Sequence, residues 1–244
     1  MKYLFFFLIP IFLLSQEKSD QTNIFMFSLN YSYQIPEFDL KERFGPNSTI
    51  GFSLSKKNNT NYVFSFSANS IIGNDIREPN IFDPIDGNNG EIINIDGQIP
   101  IIRLFQRGAQ VHFDIGKKIK LNLKNSSSGI IPTFGLGYIY HKIFIETLMG
   151  EIPQLNDELK RGYDRLSGGI SLKQSILFMY LSNNEKINFH LGLEVIESWT
   201  SDLRVQNYTT GSVENKKRFD MFIGVKFGWI LPLKKRTTSS FYYY

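Results

Sequence analysis

From residue 25 onward the chain repeatedly sets an apolar residue beside a small or polar one. Phe25, Phe27, Leu29, Tyr31 and Tyr33 alternate with Ser28, Asn30, Ser32 and Gln34, a period of two that puts successive side chains on opposite faces of a β-strand. The pattern recurs in Ile50/Phe52/Leu54 against Gly51/Ser53/Ser55, in Tyr62/Phe64/Phe66/Ala68 against Ser65/Ser67/Asn69, and in Ala109/Val111/Phe113/Ile115 against Gln110/His112/Asp114/Gly116. A fifth segment sets Phe134, Leu136, Tyr138 and Tyr140 against Thr133, Gly135, Gly137 and His141. The sixth is less regular, with Gln174 sharing the face of Ile170, Leu172, Ile176, Phe178 and Tyr180. The last two are the clearest: Ile187 to Val195 against Asn188, His190, Gly192 and Glu194, and Phe219 to Trp229 against Asp220, Gly224, Lys226 and Gly228.

Alternation alone fits a soluble sandwich, whose apolar face points inward, as well as a barrel that shows its apolar face to lipid. The connections separate the two. Those around 57–59, 124–128 and 183–184 are short, whereas 35–48, 73–107, 142–168 and 198–218 are long. This alternation of short and long predicts an all-β fold, an eight-stranded antiparallel up-and-down transmembrane β-barrel with long extracellular loops and short periplasmic turns. A soluble β-sandwich or lipocalin-like binder is the structural alternative.

A two-residue turn at Asn183-Asn184 would pair Tyr180 with Ile187, Phe178 with Phe189 and Ile176 with Leu191, all on one face. The same register places Lys173 opposite Glu194 inside the barrel. Asp220 and Lys226 on the adjoining strand extend that cluster, so Lys173, Glu194, Asp220 and Lys226 are expected to form a lumenal polar plug. A barrel of eight strands is only wide enough to be filled by side chains, and charges there must be paired.

The first 16 residues, MKYLFFFLIPIFLLSQ, carry one Lys, an apolar stretch from Tyr3 to Leu14, and then Ser15-Gln16. This reads as a secretory signal over 1–15, with the barrel over 16–233 and a basic, aromatic periplasmic tail over 234–244. An uncleaved anchor is the competing reading, but the stretch is shorter than the roughly 20 residues a transmembrane helix needs.

Composition narrows the chemistry. There is no cysteine, so disulfides, thiolate metal sites and a Cys nucleophile are excluded. With 27 Lys+Arg against 23 Asp+Glu and a formal net charge of +4, the scattered basic residues do not indicate nucleic acid. The 22 Phe and 12 Tyr suit a surface that meets lipid and its headgroups. His112, His141 and His190 all fall on the lumenal face, but strand direction puts His141 and His190 near opposite ends, which argues against a shared metal. A lipid-modifying enzyme would need a Ser, a His and a carboxylate at the membrane edge; His141 and Glu146 are the nearest candidates, with no serine fixed beside them. No catalytic residue, cofactor or metal is expected.

The segment after the third strand, GNDIREPNIFDPIDGNNGEIINIDGQIPIIRLFQR, is long for a structureless loop and so calls for internal structure or a binding role. Asp83, Asp86, Glu91 and Asp96 lack the spacing of an EF-hand, and a solvated loop accounts for them better. Ile99, Ile101, Ile102, Arg103, Leu104 and Phe105 form an apolar stretch expected to fold onto the rim or against a partner protein. In the tail, Lys234-Lys235-Arg236 suits anionic surfaces, and the aromatic end Phe241 to Tyr244 suits recognition by the barrel-assembly machinery.

The strings RFGPNSTIG at 43–51, GYDRLSGG at 162–169, YLSNNEKINFHLG at 180–192, GWILPL at 228–233 and the terminal FYYY resemble small outer-membrane β-barrel proteins of Bacteroidota. A Gln after the signal cleavage point also suits such organisms. The resemblance implies a barrel and an outer-membrane location, and it brings no catalytic residue with it. The functional expectation is a noncatalytic outer-membrane barrel whose outer loops bind a partner, in contact with outer-membrane lipid and with another outer-membrane protein as an accessory subunit. Transport of a small or hydrophobic solute is the alternative, followed by an enzyme acting on lipid.

Overall fold

The computed structural model of the protein describes residues 23–86, 91–121, 128–182, 187–204, 206–213 and 216–233. The signal and tail segments lie outside the described residues. Eight long strands run up and down: β1 (Ile24–Phe38), β2 (Asn47–Lys57), β3 (Tyr62–Gly73), β4 (Ile101–Lys117), β5 (Gly129–Leu148), β6 (Ser167–Leu181), β7 (Asn188–Asp202) and β8 (Lys217–Leu233). A two-residue piece, Ile119–Lys120, prolongs β4 beyond Lys118 and pairs with β5. Each strand is antiparallel to its sequence neighbours, and β1 also pairs with β8. The sheet is therefore a closed eight-stranded antiparallel barrel, and every backbone edge is satisfied.

Partner residues carried round the barrel measure its tilt. Ser28 leads to Ser53, Ser67, His112, Gly137, Ser171, Ser198 and Asp220, and returns on β1 at Phe38. The circuit climbs from 28 to 38, a stagger of ten residues. Ten rises of ~3.3 Å against eight spacings of ~4.8 Å tilt the strands by about 40° and leave about 2.5 Å of height per residue.

That height fixes the apolar belt. On the outer face of β4, Lys117 is followed by Ile115, Phe113, Val111 and Ala109 before the next charge at Arg107, which is about 25 Å higher and equals the apolar band of a membrane barrel. Outward-facing Leu29, Leu54, Phe113, Ile176, Leu193 and Val225 are all exposed, while their inward neighbours Ser28, Ser53, Asp114, Ser175, Glu194 and Lys226 are buried. At the lower edge Lys56 lies over Phe25 and Lys117 over Tyr62, with each Nζ 5.2 and 5.8 Å from its ring centroid. Gln174 and Glu197 interrupt the belt's outer face. Among the described residues no helix is long and apolar enough to cross a membrane.

The face assignment of every strand agrees with the alternation, but two sequence expectations need correction. Between β6 and β7 the partners are Tyr180–Phe189, Phe178–Leu191 and Ile176–Leu193, two residues away from the register of a two-residue turn. Leu181 is the last β6 partner, opposite Asn188, whose side-chain Oδ1 accepts from Ser182 N at 3.0 Å. This closes the hairpin above a longer connection, whose residues 183–186 lie outside the described residues. A slip of two keeps every side chain on its face, so the apolar side is unchanged, but Lys173 now faces Ile196 and Glu194 faces Ser175. The β2–β3 turn is capped locally: Asn58 Oδ1 accepts from Thr60 N and Tyr62 N at 3.0 and 2.8 Å, an Asx arrangement.

The second correction concerns the long connections. The strands overrun the belt on the outer side, so the connecting segments are 39–46, 74–100, 149–166 and 203–216. The 20 residues of β5 cover about 50 Å of height, twice the belt. Ladder pairing can continue there because the loops fold inward and give the inner face of the overrun something to cover. Asn94 anchors the second loop: its Oδ1 accepts from Asp96 N and Gln98 N at 3.0 and 2.8 Å, and its Nδ2 donates to Met149 O at 2.8 Å. Replacing Asn94 with alanine is expected to cost about 1–3 kcal/mol locally and to speed limited proteolysis between residues 91 and 100. Unchanged cleavage kinetics would contradict this.

Candidate functional site

The lumen is filled in three layers. At the periplasmic end Met26, Val63, Ile131, Met179, Leu181 and Ile230 form an apolar cluster. The middle is polar and charged. Lys173 Nζ lies 2.7 Å from Asp114 Oδ2 and donates to Ser67 Oγ at 3.1 Å, while Glu194 accepts from Gln34 Nε2 at 2.9 Å and faces Lys226 at 3.8 Å. His112 Nε2 is 2.9 Å from Ser171 Oγ. Lys173, Glu194 and Lys226 thus share one layer as expected from the sequence, but the partner of Lys173 is Asp114 and not Glu194.

Asp220 does not belong to that layer. It stands higher, with Oδ2 3.1 Å from His141 Nε2 and accepting from Thr200 Oγ1 at 2.5 Å. Phe44 packs edge-on against His141 at 5.3 Å, and both members of the His141–Asp220 pair are fully buried. Glu146 pairs across the sheet with Arg103 and, five residues from His141 along β5, points to the opposite face. The catalytic constellation weighed from the sequence is therefore not brought together. Among the described residues, no group of three or more His, Asp or Glu is placed to hold a metal ion.

Above Asp220 the barrel's mouth is closed by its own loops. Leu40 and Phe44 from the β1–β2 connection, Ile81 and Ile92 from β3–β4, and Ile152, Leu155 and Tyr163 from β5–β6 pack onto strand residues Ile71, Ile139, Ile143, Ile145, Ile196 and Phe222. The rings of Phe82 and Tyr208 lie 5.7 and 5.6 Å from Tyr163, so all four outer connections meet. Glu78 binds two of them to the third: its carboxylate takes Arg43 Nε at 3.1 Å and Arg165 Nε at 3.1 Å. Arg43 also donates to Ser167 Oγ at 3.2 Å and Arg165 O at 3.0 Å. Burial lowers the Arg43 pKa, and the Glu78 carboxylate opposes that shift. Arg204 is bound to Asp164 through Nε and Nη2 at 3.0 and 2.6 Å, a bidentate pair that raises the arginine's pKa.

The stretch expected as a partner-binding loop is mostly strand. Ile101 to Phe105 pair with Leu148 to Phe144, so they do not fold down onto the rim. Ile102 and Leu104 turn inward against the mouth cluster, while Ile99 and Ile101 are exposed at 59% and 45%. Ile101 stands six residues beyond Arg107, about 15 Å above the top of the belt. Around it Ile93, Ile95 and Met149 are exposed as well, and the charged pair Arg103 and Glu146 borders them. Asp114 was legible from the sequence as lumenal; the Arg43–Glu78–Arg165 junction was not, because it joins three separate loops.

No family model and no curated protein matches the chain. Among solved structures it is similar to Ail, the attachment invasion locus protein of Yersinia pestis, solved in complex with the heparin analogue sucrose octasulfate, at 8% identity over 86% of this chain and 99% of that one, with a TM-score of 0.41. Neisserial surface protein A matches at 11% identity over 84% and 96% of the two chains, with a TM-score of 0.36. The outer membrane protein OprG from Pseudomonas aeruginosa matches at 12% identity over 86% and 95%, with a TM-score of 0.37. At such identities the likeness concerns architecture alone.

Proposed function

We propose that the protein is a noncatalytic outer-membrane barrel that holds a partner-binding platform above the membrane. Residence in an outer membrane follows from the closed sheet and from the belt of apolar and aromatic side chains on its outside, since a closed barrel is the only strand architecture that satisfies its backbone in lipid. RFGPNSTIG at 43–51, GYDRLSGG at 162–169 and GWILPL at 228–233 resemble strings of Bacteroidota outer-membrane barrels, a likeness that fits the same location.

The observation behind partner binding is the exposure of Ile93, Ile95, Ile99 and Met149 on the outer connections beside Ile101 at the start of β4, where Asn94 ties the β3–β4 connection to Met149 O. Monomeric surfaces seldom leave such a patch in water, and the Asn94 bonds to Asp96 N, Gln98 N and Met149 O hold its loop residues in place beside the paired strands. The filled lumen supports this reading over transport, and the burial of His141 and Asp220 beneath Phe44 supports it over lipid chemistry.

A photo-crosslinking residue at Ile101 is expected to capture a second outer-membrane protein in intact cells, and one at the inward-facing Leu104 to capture none. If both positions yield only the uncrosslinked monomer, the platform reading fails.

A further inference from the structure

At the top of the belt, β4 and β5 bring two cations face to face. Arg107 and Lys142 are direct cross-strand partners, and both lie on the outer face with Phe105 and Phe144. Like charges in that relation repel. Among the described residues, Arg107 has no carboxylate partner: its Nη1 donates to Gln106 O at 2.8 Å and Gly73 O at 3.4 Å, and its guanidinium covers the Phe105 ring at 4.9 Å. Lys142 reaches only Asp164 Oδ2, at 3.9 Å, and that carboxylate is already held by Arg204 at 3.0 and 2.6 Å.

The pair borders a cleft of about 330 Å³ whose other walls are Ser70, Ile72 and Tyr140, with backbone from Ile71 and Gly108. Directly below it on the outer face, Ser70 pairs with Ala109 and Ala68 with Val111. Ser70, Ala109 and Ala68 are small and leave a short, shallow furrow at the top of the belt, with the bulkier Tyr140 beside Ala109 and Val111 closing its lower end. Two undercompensated cations at headgroup height, above an apolar furrow, match an amphiphile with an anionic head and a hydrocarbon chain.

We infer that the Arg107–Lys142 cleft binds the phosphate of a lipid headgroup in the outer leaflet, with an acyl chain lying in the furrow below. The inference rests on the membrane reading above. A phosphate between the two cations would convert their repulsion into two charge-assisted hydrogen bonds, and Tyr140 at the cleft wall suits the headgroup zone.

The folded full-length barrel in uncharged detergent is titrated with diphosphoryl lipid A, with the same lipid stripped of phosphate, and with inorganic phosphate, and bound molecules are counted by native mass spectrometry. Phosphorylated lipid is expected to bind at least tenfold more tightly than its dephosphorylated form. The R107Q/K142Q double variant is expected to abolish that preference, and so is K142E, which places an anion opposite Arg107. A preference that survives in both variants, or no preference in the wild type, overturns the lipid site. Inorganic phosphate displacing the lipid at equal concentration overturns the lipid assignment in favour of a free anion. Heat-modifiable migration after reconstitution into vesicles separates the two readings: a chain that inserts without discriminating loses the lipid site alone, and one that fails to insert loses the membrane reading too.

Discussion

Replacing Lys173 with methionine is expected to destabilise the folded barrel by about 3–5 kcal/mol, the cost of leaving a buried carboxylate without its partner. Asp114 and Lys173 are both buried, and at 2.7 Å theirs is a closer ion pair than that of Lys226 and Glu194 at 3.8 Å in the same layer. Methionine matches the lysine stem in length but cannot neutralise Asp114, and the other lysine of the layer, Lys226, already faces Glu194. The Lys173→Met/Asp114→Asn double variant, which removes both charges, is expected to regain most of the loss. Urea unfolding of the reconstituted barrel measures both. A double variant as weak as the single one would show that packing, and not charge pairing, holds this layer.

Leu193→Arg is expected to cost about 2–4 kcal/mol, the penalty for a cation at the middle of a lipid-facing belt, whereas Ile101→Arg should stay within about 0.5 kcal/mol, as for an ordinary surface position in water. The two side chains are exposed at 62% and 45%, so exposure alone does not distinguish them. Only the surrounding solvent does. Equal, near-zero effects of both substitutions in vesicles would mean that the outer face meets water throughout, and the membrane reading would be withdrawn.

The strand faces were legible because period-two alternation is a local property: Leu29 and Ser28 announce their sides without reference to any distant residue. Strand lengths were not. Ile101 to Phe105 has apolar residues on both faces, Ile102 and Leu104 for the mouth cluster and Ile101 and Phe105 for the outside, so the alternation fades where pairing in fact continues. Register was half legible, since parity survives a slip of two while the identity of the facing residue does not. Hence Lys173, Glu194 and Lys226 were placed in the right layer with the wrong pairing. Asp220 was misplaced because it stands six residues up β8 from Lys226, about 15 Å of height, too far for both to share one layer. Ile99, expected to fold onto the rim or against a partner, stays exposed on the chain itself. The junction at Glu78 depends on loop folding, for which the sequence carries no comparable period.

The overrun of the strands beyond the belt means that one molecule folds in two solvents. Its lower storey is stabilised by lipid outside and ion pairs within, and its upper storey by excluding water from Phe44, Ile143, Phe222 and their neighbours, as in a soluble domain. The upper storey, whose apolar cluster is larger than the one at the periplasmic end, carries the greater heat-capacity increment of exposing apolar surface to water. Heating or denaturant should therefore release the mouth loops in a first transition and open the barrel in a second, so a single unfolding midpoint does not describe this protein. The effect of Lys173→Met belongs to the second transition and that of Asn94→Ala to the first.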